Sequence, residues 1–131
     1  MGRRYASPHS RALWLKLFMN KVHDYPTLLE AIRKRPCMYH GGEERNVELL
    51  AAFLGGIGYV QTFQNIPTEC LLDNFNWKEF EQWVASEFNK KRLSLNSLTL
   101  SRHLSSSNSE AFDLWFKWYD QFRESNSNAT P

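Results

Sequence analysis

Cysteine is scarce in this 131-residue chain. Two cysteines, Cys37 and Cys70, cannot build a disulfide framework or a thiolate metal site, and at most one bridge is open to them. Long apolar runs are also missing. None approaches the ~20 residues of a membrane span, so the chain is expected to make no membrane partner. Glycine is sparse, and its largest cluster, Gly55-Gly56-Ile57-Gly58, is not followed by Lys-Ser/Thr, which excludes a P-loop. There is no Gly-x-Ser-x-Gly elbow. None of the four histidines, His9, His23, His40 and His103, stands at metal-ligand spacing from another ligand. His40 with Cys37 in one loop is a faint nucleophile–base pair, but a Cys-x-x-His turn does not readily admit an orienting third group. The expectation is a non-enzyme with no catalytic residues, no metal and no cofactor.

What the chain does have is aromatic area. Aromatics are 15% of residues, with five Trp and nine Phe, enough for one compact core in one domain despite a polar average. The net charge of +2 is unevenly placed. Residues 1–18 hold Arg3, Arg4, Arg11 and Lys16 and no acid; the remainder has 12 basic and 14 acidic residues, a net −2. A slightly acidic domain argues against nucleic acid, which needs a basic footprint on the folded part.

Local signals predict an all-α, single-domain bundle of about five helices. Residues 1–18, with the short apolar run Ala12-Leu13-Trp14-Leu15-Lys16-Leu17-Phe18, read as a weakly structured N-terminal extension. They lack a signal-peptide cleavage site, and Met19 is a plausible start of the domain, which spans 19–124. The first helix is expected from Thr27, with Thr27 and Glu30 forming a capping box. Arg33-Lys34-Arg35 suits its C-terminal dipole, and Pro36 ends it. A second helix spans roughly Asn46–Gln64, with Val47, Leu50, Phe53, Leu54, Ile57 and Val60 at helical spacing. Its glycines are expected to admit a close neighbouring helix. A third begins after Asn76, with Glu79 at N3 and Phe75 stapled onto Phe80, and ends near Asn89. A fourth is read from about Asn96, although residues 93–104 also fit alternation. The last runs from about Ser109 to Glu124 behind a Ser107–Glu110 box, with Phe112, Trp115, Phe116, Tyr119 and Phe122 on one broad face. Residues 125–131 read as a disordered polar tail.

The run Leu28-Leu29-Glu30-Ala31-Ile32-Arg33-Lys34-Arg35-Pro36-Cys37-Met38-Tyr39-His40-Gly41 resembles the segment before the ATP-binding helix of the DNA gyrase B subunit and its relatives. That resemblance implies a catalytic Glu and a metal-holding Asn on the next helix. After Glu48, however, no Asn or Asp occurs until Asn65, and no Asp-x-Gly-x-Gly run follows to cradle phosphates. The run is therefore read as a helix-stop-turn device built on Arg35, Pro36, Met38, Tyr39 and Gly41.

Together with Phe80-Glu81-Gln82-Trp83-Val84 and Glu110-Ala111-Phe112-Asp113-Leu114-Trp115-Phe116, the same turn resembles small bacterial immunity-like proteins found beside polymorphic or contact-dependent growth inhibition toxins. The likeness covers about residues 25–124 and departs at Cys37 and His40. It implies a cytoplasmic protein that neutralises a cognate toxin domain, such as a nuclease, by binding and occlusion. Acidic residues would steer a basic toxin cleft, and the candidates are Glu43, Glu44, Glu48, Asp113, Asp120 and Glu124. Each also reads as an ordinary solvated carboxylate. The alternative is a helical nucleic-acid-binding or regulatory module using Arg33, Lys34, Arg35, Lys90, Lys91 and Arg92.

Overall fold

The computed structural model describes residues 24–36, 45–65, 72 and 74–129. Within them the chain is all-α: α1 (Tyr25–Lys34), α2 (Val47–Phe63), α3 (Trp77–Phe88), α4 (Ser97–His103) and α5 (Asn108–Ala129), with no strand. The extension 1–18, Cys37, Met38, Tyr39, His40, Gly41, Glu43, Glu44 and Cys70 lie outside the described residues.

Short polar side chains set the helix starts. Asn46 accepts from the Glu48 and Leu49 N–H groups at 2.9 and 3.2 Å, Asn76 from Glu79 at 3.0 Å and Asn96 from Thr99 at 2.8 Å. Each supplies an acceptor for N–H groups that the first turn leaves without a partner. The Ser107 hydroxyl does the same for Glu110 at 3.1 Å, while the Glu110 carboxylate turns to the Ser106 hydroxyl. α1 corrects the expected start. Its cap is Asp24, whose carboxylate accepts from the Thr27 N–H at 2.8 Å, so Thr27 is the donor rather than the cap. Pro26 explains the shift, because proline is tolerated in the first turn, where its missing N–H would have no intrahelical partner.

α5 is the organising element and packs against α2, α3 and α4. Ala111, Phe112, Trp115, Phe116, Trp118, Tyr119 and Phe122 are all buried, a double stripe at helical spacing. From α3, Phe80 and Val84 complete this layer; Leu28, Leu29 and Ile32 of α1, Val47, Leu50 and Leu54 of α2 and Leu100 of α4 close it. The rings interlock. Phe80 stands edge-on to Trp115 at 5.5 Å, Trp115 stacks on Tyr119 at 5.9 Å, and Phe88 stacks on Trp118 at 4.9 Å. The expected staple forms, with Phe75 and Phe80 at 5.5 Å.

Two features differ from expectation. Gly55, Gly56 and Gly58 meet nothing within 4 Å of where a Cβ would stand, so among the described residues no helix approaches there. α5 also runs to Ala129, past the expected end at Glu124, because extending a formed helix costs far less than nucleating one.

Candidate functional site

Two surfaces stand out, one polar and one apolar. The polar one is a seam along α5. The Asn108 amide donates to the Glu48 carboxylate at 2.7 Å. One turn on, Arg45 donates to Asp113 at 2.6 Å. Further along, both terminal nitrogens of Arg33 grip both oxygens of Asp120, at 3.1 and 2.6 Å. Such a fork is a directional contact that lysine could not make. The Arg33 guanidinium also lies 4.6 Å from the Phe116 ring centre, so its apolar face is covered.

This seam changes the meaning of the acidic candidates. Glu48, Asp113 and Asp120 each hold an in-chain partner; arginine neutralises Asp113 and Asp120, while Glu48 keeps its charge beside the neutral Asn108 amide. Glu124 is exposed one turn beyond Asp120. Of the basic candidates, Arg33 is committed to Asp120 and Glu30. Lys34, Arg35, Lys90, Lys91 and Arg92 are exposed. Lys90 reaches back to the Ser86 carbonyl at 3.4 Å, and Arg92 takes a positive φ of 54° in the tight turn after α3. That turn is closed by Asn89, whose amide donates to the Leu93 carbonyl at 2.7 Å and accepts from the Leu93 N–H at 2.9 Å.

A polar cluster that the sequence did not signal lies inside the bundle. Glu81 of α3 accepts from both the backbone N–H and the hydroxyl of Ser97, at 2.8 and 2.6 Å. The Ser97 oxygen in turn accepts from the Trp115 indole N–H at 2.8 Å. Ser97 is 1% exposed and Trp115 is fully buried, so no substrate reaches this hydroxyl and its role is to lock three helices. No group of three metal-ligating side chains occurs among the described residues.

The apolar surface is the C-terminal half of α2. From Ala51 to Phe63 this helix has no charged residue. A largely apolar helix is expected to be largely buried, yet Tyr59 is 60% exposed and Phe63 69%. These two rings touch at 5.0 Å, one turn apart. Beside them lies a groove of about 660 Å³, lined by Phe53, Gly56, Ile57, Val60, Gln61 and Leu72 among others. Gln61 anchors its wall. Its carbonyl oxygen accepts from the Leu72 N–H at 2.6 Å and its amide donates to the Tyr25 hydroxyl at 3.2 Å. Burial raises the Tyr25 hydroxyl above the ordinary 10.0, against the opposing hydrogen bonds with Gln61 and Trp77. Tyr119 is raised for the same reason, with Arg123 and Arg33 opposing and Glu30 adding to the rise.

No family model, curated protein or solved structure matches the chain. The reading of its surfaces therefore rests on their chemistry. No helix among the described residues is long and apolar enough to cross a membrane. The sequence shows that residues 51–63 carry no charge, but not that Tyr59 and Phe63 stand exposed. Nor does it show the charged seam, because Arg33 and Asp120 are 87 positions apart.

Proposed function

We propose that this chain is an immunity-type binding protein that neutralises a toxin domain by covering it, with the Tyr59–Phe63 pair at the centre of the contact. The observation that carries the reading is that exposed aromatic pair on an uncharged helix end. Aromatic side chains are enriched among the residues that dominate binding energy, and they act best where surrounding groups exclude water. Exposed apolar patches with a polar rim are a feature of protein interaction sites. The resemblance of residues 25–124 to immunity-like proteins supplies the partner class.

Electrostatics has a narrower role than the acidic count suggests. Asp113 and Asp120 are neutralised within the chain, so steering falls to acids without such a pair, Glu124 among the described ones. Charge reversal at Asp120 would break the Arg33 fork and confound binding with stability, whereas Glu124→Lys tests steering alone. The test of function is co-expression with the toxin domain encoded by the neighbouring upstream gene. Cells survive with the intact chain and die with a folded Tyr59→Asp/Phe63→Asp variant. Equal death with and without the intact chain overturns the reading.

A further inference from the structure

The last turns of α2 are fastened to the fold by far less than the first ones. We propose that they form a hinged arm. Gly55–Gly58 is the hinge, Gln61 is the latch, and residues 59–63 open as one unit while the core stays folded. The device belongs to α2 itself and stands whether or not the partner at Tyr59 and Phe63 is a toxin.

Four observations carry it. The first is burial. Val47, Leu50 and Leu54 anchor the first half of α2 in the core. Phe53 and Ile57 still lean on that core, whereas Tyr59, Val60 and Phe63 are 60%, 43% and 69% exposed. The second is the hinge. Gly55, Gly56 and Gly58 have open space where a Cβ would stand, so no close neighbour supports them there. Each glycine makes helix roughly fivefold less favourable than alanine would, and three together roughly 100-fold. The third is the helix end. The last turn of α2 has no basic residue to offset the helix dipole, and its cap is Gln64 rather than glycine. The fourth is the latch. Among the described residues, one side chain makes the polar ties from residues 59–63 to the rest of the fold. The Gln61 carbonyl oxygen accepts from the Leu72 N–H at 2.6 Å, and its amide donates to the Tyr25 hydroxyl at 3.2 Å. Tyr25 is buried at the start of α1, so this second bond ties the arm to a fixed point. With no buried side chain beyond Leu54, the ring pair is re-aimed without disturbing the core.

Ordinary fraying is the competing account, and it predicts a different profile. Fraying weakens a helix gradually from its end inward. A hinged arm opens at one place, so its amides share one opening equilibrium with a step at the glycines. Alanine is also a better helix former than glutamine, so Gln61→Ala would lessen fraying, whereas loss of the latch has the opposite effect.

The test is amide hydrogen exchange of the full chain, followed residue by residue by NMR. Residues 59–63 should share one opening equilibrium, at least roughly tenfold more open than residues 50–54. Gln61→Ala should open the arm roughly tenfold further through the two lost hydrogen bonds, with exchange in α5 unchanged. Alanine at Gly55, Gly56 and Gly58 together should close it roughly 100-fold. A gradual profile without a step overturns the proposal. So does unchanged or slower exchange of the arm in Gln61→Ala, unchanged opening in the triple alanine variant, or opening of residues 59–63 only together with α5.

Discussion

Replacing Ser97 by alanine tests whether the buried cluster, rather than the aromatic core alone, fixes α4 against α3 and α5. The Ser97 hydroxyl donates to Glu81 at 2.6 Å and accepts from Trp115 at 2.8 Å. Alanine leaves the Trp115 indole N–H without an acceptor at a fully buried position. A buried unsatisfied donor costs about 1–3 kcal/mol, and losing a hydrogen bond to a charged group about 1.5–3 kcal/mol. Glu81 is only half-buried and keeps its bond to the Ser97 N–H, so water recovers part of the second loss. The expected destabilisation is therefore about 2–3 kcal/mol, or roughly 7–12 °C in melting temperature for a chain of this size. Chemical denaturation gives the first value and calorimetry the second. A double-mutant cycle adds a sharper test. Trp115→Phe removes the donor, so Ser97→Ala in that background should cost about 1–2 kcal/mol less than in the native chain. A single-variant loss below about 0.5 kcal/mol, or simple additivity in the cycle, would refute the reasoning.

Gly55→Ala and Gly58→Ala should each stabilise the chain by about 0.5–1 kcal/mol in denaturant titrations, because a methyl group meets open space and alanine is the better helix former. Arg33→Ala should cost about 1–2 kcal/mol, through the Asp120 fork and the covered Phe116 ring together. Added salt should narrow that difference if the fork contributes to it. Stability should fall as pH rises past 10.0, since the unfolded tyrosines lose their protons there while Tyr25 and Tyr119 hold theirs until higher pH. The contribution is fully present below that value and is lost through the folded pKa, so the ultraviolet signal of these two tyrosinates should appear only above pH 10.0 and Tyr25→Phe should flatten the slope.

Much of the fold could be read locally. Asn46, Asn76 and Asn96 announce their helices because a cap acts over three residues, and the α5 stripe shows itself because aromatic residues repeat at helical spacing. The first helix start was misread because two cap types, Asp24 and Thr27, stand three residues apart and only Pro26 decides between them. The glycines of α2 were misread because small residues permit a close approach without requiring one. Long-range pairing left no local trace. Ser97 looks like an ordinary first-turn residue until Trp115, 18 positions on, is packed against it. Arg33, Arg45, Asp113 and Asp120 look like solvated charges until α5 comes alongside. Asp113 and Asp120 read locally as exposed carboxylates, and their neutralisation by Arg45 and Arg33 emerges only in three dimensions.

The most direct measurement of the proposed function is binding of the full chain to the purified toxin domain of the neighbouring upstream gene, by calorimetry, for the native protein and for Tyr59→Asp/Phe63→Asp. Both side chains are more than half exposed, so the variant should melt at an unchanged temperature. The native chain should bind with one saturable heat, and the variant should lose roughly 100-fold or more in affinity, the loss of about 2.7 kcal/mol expected when central aromatic anchors are removed. Equal affinity of the two proteins, or no binding by the native chain, would contradict the assignment of α2's exposed end as the recognition surface.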